Sequence, residues 1–175
     1  MIFSEIYWKK ELAHTYRCLV VYSKMPDRSY DFLERKVSNA LILSAVLIRK
    51  LFAYIEESYN FGVEEKYEKL YRSTLLNMKI DTISFEYTSE EEMIYEHYFS
   101  ALYSDGQKES LNIKVLCNQI IHSYVWNIVH DKGKICGFIV SSDKYKDKVA
   151  FYVDIYNWID AIKACVEETR VADVL

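Results

Sequence analysis

Chain breakers are almost missing here: four glycines and one proline serve 175 residues. That scarcity excludes a turn-dense, all-strand architecture and favours long helices. No glycine-rich phosphate loop, HExxH, GxSxG or DxD-type calcium loop occurs, which counts against the familiar enzymes that carry such motifs. A positive excess is also lacking. The net charge is −4 and the pI is near 5.6, which disfavours a broad duplex-binding face and leaves room only for a local basic pocket. The four cysteines (Cys18, Cys117, Cys136, Cys165) form no CxxC and no zinc-like pairing with histidine. They fit reduced, buried thiols in a cytoplasmic protein. No metal or other cofactor is called for.

What is abundant is apolar and aromatic. Half of the residues are hydrophobic and sixteen are tyrosine, which is the profile of one globular domain with a sizeable core. Tyrosines can stack on bases, but they also serve core edges with the ring buried and the hydroxyl wet. The most hydrophobic run, 40–55, is interrupted by Ser44, Arg49 and Lys50 and falls short of the ~20 apolar residues of a membrane span. No signal peptide is visible, and no internal repeat or low-complexity segment appears.

The periodicity predicts a first helix over about 3–22, ended by Met25-Pro26-Asp27. A second follows over 30–59, apolar nearly all round in its later half, where Arg49 either snorkels to the surface or turns inward. A third is read over 63–77. Residues 78–87 suit a short strand or an extended connector. Ser89 with Glu92 forms a capping box that opens a helix over 90–103. In that stretch Glu91, Glu92, Glu96 and His97 read as metal ligands or simply as acidic residues at a helix start. A long central helix is expected over 108–129. At the C-terminal end, 135–142 and 148–154 alternate like a hairpin, with three lysines near its tip and Asp154 placed to cap a last helix striped by Ile155, Trp158, Ile159, Ile162 and Val166. The expected fold is therefore mainly α. It is a compact bundle of about five to six helices with a β-hairpin before the C-terminal helix, the bundle occupying 1–134 and the hairpin and last helix 135–175.

Chemistry is to be sought on the central helix, at Asn118-x-x-x-His122. Residues four apart share a helix face, and two polar side chains amid Leu111, Val115, Val125 and Val129 would need hydrogen-bond partners if buried. Cys117 points to another side and cannot pair with His122.

The run Cys117-Asn118-Gln119-Ile120-Ile121-His122 resembles the signature of the HEPN (higher eukaryotes and prokaryotes nucleotide-binding) domains, an arginine, usually a polar residue such as asparagine, and a histidine a few positions on. The resemblance implies a helical bundle that pairs with a second copy. It also implies a metal-independent endoribonuclease in which Asn118 orients the site and His122 acts as general base or acid on a ribose 2′-hydroxyl. Cys117 stands where the family has arginine, so a supporting cation would come from Arg49 or Lys114. Three readings follow: a structural polar pair, a HEPN-like binding or regulatory module with an RNA or protein partner, and an endoribonuclease. The binding module is the reading adopted from sequence, with a homodimer compatible and no membrane partner.

Overall fold

The computed structural model describes residues 2–25, 30–60, 74–86, 106–145 and 148–167, excepting the side chains of 2–6, 30 and 58–60. The order is α1 (Ile2–Tyr22), α2 (Tyr30–Asn60), β1 (Lys79–Glu86), β2 (Gln107–Asn112), α3 (Ile113–Ile121), β3 (Ser123–Asp131), β4 (Lys134–Ser142), a 3-10 turn (Asp143–Tyr145), β5 (Val149–Asp154) and α4 (Ile155–Glu167). The five strands form one antiparallel sheet in the order β2-β1-β5-β4-β3. The fold is α+β. The expected helical bundle is incorrect, and with it the fold that the HEPN resemblance implies.

The error has one source. Residues 108–129 are not a helix but β2, the nine-residue α3 and β3 in succession. A segment with so few charges suits a helix enclosed by helices, but a strand with apolar residues buried on both faces gives the same near-continuous apolar run. Trp126 and Ile128 enter the main core, while Val125 and Val129 enter a second cluster with Phe85, Ile139 and Ala150. Every buried apolar residue of the described helices belongs to the first cluster and the second holds strand residues only, so the described helices lie on one side of the sheet. Asp131-Lys132-Gly133-Lys134 is the β3–β4 turn. Both central residues have positive φ (49° and 72°), the two-residue geometry that suits the twist of an antiparallel hairpin.

Other elements follow the sequence closely. Residues 78–87, ambiguous between strand and connector, contain β1, which pairs with both β2 and β5. The hairpin of β4 and β5 is present, with Phe138 opposite Val153 and Val140 opposite Phe151. Asp154 accepts hydrogen bonds from the backbone N–H groups of Tyr156 (2.8 Å) and Asn157 (3.2 Å), and the expected stripe of α4 is buried. The helices at 63–77 and 90–103, with Glu91, Glu92, Glu96 and His97, lie outside the described residues apart from a single turn at 74–76.

Two indoles set α2 across the sheet. Trp126 Nε1 donates to Ser38 Oγ (2.9 Å) and Trp158 Nε1 donates to Ser44 Oγ (3.0 Å), while both rings pack on Phe138. Within α2, Asp31–Glu57 is long and apolar enough to cross a membrane by composition, yet 44% of that window is buried inside the domain. Leu33, Val37, Leu41, Ala45, Ile48, Phe52 and Ile55 recur at helical spacing in the core, so α2 is a core helix.

Candidate functional site

Asn112 starts α3. Its side-chain oxygen accepts from the Lys114 N–H (2.8 Å), and its amide nitrogen donates to the Leu76 carbonyl (2.9 Å). The helix ends where His122 N–H donates to the Asn118 carbonyl (3.1 Å), after which the chain turns into β3. The His122 carbonyl in turn accepts from the Asp143 N–H (3.3 Å). Asn118 and His122 therefore share the last turn of a short helix.

Their surroundings differ from those expected. Asn118 is half-buried and His122 is exposed, and among the described residues neither side chain makes a hydrogen bond. Val115 is exposed, Leu111 lies on β2, and Val125 and Val129 lie on β3. The buried face of α3 is instead Ile113, Leu116, Cys117 and Ile120. The buried polar group that needs a partner is Gln119, whose side-chain oxygen accepts from the Ser142 N–H (3.1 Å) and ties α3 to the end of β4. Nothing local in the sequence singles out Gln119, because its partner is supplied by β4, more than twenty residues further along the chain.

The two candidate cations behave differently. Lys114 Nζ is paired with Glu56 of α2, so its charge is committed to joining the two helices. Arg49 is half-buried on α2, and its charge reaches Cys117. The contacts Lys114–Glu56 and Trp126–Ser38 show that α3 and the start of β3 run antiparallel to α2. At ~1.5 Å per residue, Arg49 lies about 10 Å along α2 from Glu56, level with the Asn118–His122 turn. Ile42, Val46, Arg49, Ala53 and Glu56 share that flank of α2 at helical spacing, and Lys114 and Cys117 mark the side of α3 turned toward it. Asn118 follows Cys117 at the edge of that side, while exposed Val115 and His122 lie on the outer face of α3.

Cys117 cannot contribute chemistry there. Burial pushes its thiol far above the ordinary range, Cys165 adds to the shift, and Arg49 opposes it without reversing it. A protonated, sealed thiol is neither nucleophile nor metal ligand. Burial likewise raises the Cys136 thiol. At the β4–β5 tip, Tyr145 packs edge-on against Phe151 and carries Lys144 over its ring, so this tyrosine closes a core edge.

Among the described residues, no group of three or more His, Cys, Asp or Glu is placed to hold a metal. One cysteine does lie beside a histidine: Cys18 Sγ is 3.5 Å from His14 Nε2 on α1. The signal was the spacing His14-x-x-x-Cys18, one helical turn. Compared with family models, curated proteins and solved structures, the chain matches none of them.

Proposed function

We propose that the protein is a binding or regulatory module that receives a protein partner on the outer side of the α2–α3 seam. The observation that carries this reading is the composition of that surface. Exposed Ile42 shares the α2 flank of half-buried Arg49, and exposed Val115 and His122 share the outer face of α3 with half-buried Asn118. Large apolar side chains interleaved with an arginine and neutral polar groups are the mixture that protein interfaces favour. Four cysteines without disulfides fit a reducing, cytoplasmic setting. The test is site-specific photocrosslinking in the native host. A crosslinker at position 42 should give a discrete protein adduct, and one at Lys132, in the β3–β4 turn, should not. Equal adducts at both positions, or none at position 42, defeat the proposal.

A second reading is an endoribonuclease, supported by one observation: Arg49 brings to the motif the cation that Cys117 lacks. Against it, an exposed imidazole without an orienting partner is poorly prepared for general acid–base work. The enzyme reading predicts RNA cleavage in the presence of chelator, leaving cyclic-phosphate ends and lost in His122→Ala and Arg49→Ala. Intact RNA, or equal cleavage by His122→Ala, rules it out.

A further inference from the structure

On the side of α1 away from its core contacts, residues 7, 11, 14, 18, 21 and 25 follow the alternating four-and-three spacing of a helix–helix seam. Tyr7, Val21 and Met25 are large apolar side chains left open to solvent on it, at 61%, 56% and 42% exposure. His14 and Cys18 occupy the middle, with Nε2 and Sγ 3.5 Å apart. The inward side of the same helix is occupied by Leu12, Thr15, Leu19 and Ser23, so among the described residues the core of the domain uses a different face of α1 from this outer seam.

The geometry points to a zinc site shared between two copies of this chain, each contributing His14 Nε2 and Cys18 Sγ from α1. Two ligands on one edge of a tetrahedral zinc, with Zn–N near 2.05 Å and Zn–S near 2.3 Å, are about 3.6 Å apart. The observed separation matches that edge with the helix as it stands. One chain supplies two ligands, and among the described residues no third group completes the set; a structural zinc site takes four. A two-fold axis between residues 14 and 18 supplies the other two and closes a His2Cys2 set. In the antiparallel arrangement that this axis produces, Tyr7 meets Met25 of the second copy, so the exposed apolar side chains become the flanks of the site. Lys10, Arg17 and Lys24 are exposed around the seam and Glu11 lies on it, so charge interrupts the apolar contact. The metal is what joins the two copies in this arrangement. On binding, each Cys18 thiol releases its proton to solvent and coordinates as thiolate, and each imidazole stays neutral, keeping its proton on Nδ1. Histidine nitrogen with thiolate sulfur selects zinc over magnesium or calcium. This inference is independent of the α2–α3 reading, since it uses a different helix.

The test uses the full chain, reduced and stripped with chelator, then titrated with Co2+ and afterwards Zn2+. The expected result is thiolate-to-cobalt charge transfer with tetrahedral d–d bands that saturate at one metal per two chains and vanish when zinc displaces cobalt. Mass by light scattering should double at the same equivalence point. His14→Gln and Cys18→Ser, both at solvent-accessible positions, should each weaken metal binding at least tenfold and leave the chain monomeric, with unchanged circular dichroism. No charge-transfer band, saturation at one metal per chain without a change in mass, or a band that persists in Cys18→Ser overturns the proposal.

Discussion

Replacing Gly137 with alanine places a methyl group where the structure has no room. Gly137 lies on β4, an interior strand flanked by β5 and β3, next to the bulge that Cys136 makes opposite the Val129–His130 step. A β-carbon there would sit 2.5 Å from Tyr152 Cε2, 2.7 Å from its Cζ and 2.5 Å from the Val153 carbonyl oxygen. The ring can rotate away only by giving up the hydrogen bond from Tyr152 Oη to the Cys136 carbonyl (3.2 Å). The carbonyl belongs to the paired backbone of β5, so it moves only with the sheet. Overpacking of this kind costs about 1–3 kcal/mol and the lost hydrogen bond about 1 kcal/mol, so a total near 3 kcal/mol is expected. For 175 residues the unfolding entropy is about 0.37 kcal/mol/K, which converts that loss to a fall in Tm of about 8 °C. Calorimetry or thermal circular dichroism measures it directly. In a Tyr152→Ala background the same substitution should cost about half as much, because the ring contacts vanish while the Val153 carbonyl remains. A fall of less than about 2 °C, or an undiminished penalty in the Tyr152→Ala background, would refute the close-approach argument.

Ser44→Ala removes the acceptor of the fully buried Trp158 indole N–H, and chemical denaturation should show a loss of about 1–3 kcal/mol that Trp158→Phe largely masks in the double variant. Asn112→Ala should cost about 1–2 kcal/mol by uncapping α3 and freeing the Leu76 carbonyl, and Asn112→Asp should recover only the capping part. The Cys117 thiol is held above its unfolded pKa by burial, so its contribution is complete below the ordinary thiol value of about 8.5 and is lost as pH rises past it. Unfolding free energy should then fall by about 1.4 kcal/mol per pH unit from this group alone, and Cys117→Ala should flatten that slope. In the native state a thiol reagent should modify Cys18 well before Cys117 or Cys165, and equal rates for all three would contradict the burial described here.

Much of the architecture is written locally. The limits of α1 and α2, the β4–β5 hairpin with its facing residues, and the Asp154 cap of α4 each rest on a period or a capping residue that acts within a few positions. The stretch 108–129 resisted because its apolar residues satisfy two periods at once. Val125, Val129 and Leu111 fit a helical stripe drawn from Asn118, yet Val125-Asn127-Val129 and Trp126-Ile128 also alternate as a strand with both faces covered. No glycine or proline marks the change at His122; the helix stops there because Ser123 and the following residues pair with β4.

The same division holds at the candidate site. Sequence determined that Asn118 and His122 share a helical turn, and that no arginine precedes them in the motif. Whether they are buried, and which cation faces them, was not local information. Those were decided by the packing of α2 against α3, which spends Lys114 on Glu56, brings Arg49 alongside Cys117 and leaves His122 in water. The physical reason is range: hydrogen-bonded turns and caps select among conformations a few residues long, whereas burial and electrostatic neighbours depend on surfaces that meet only when distant segments pack.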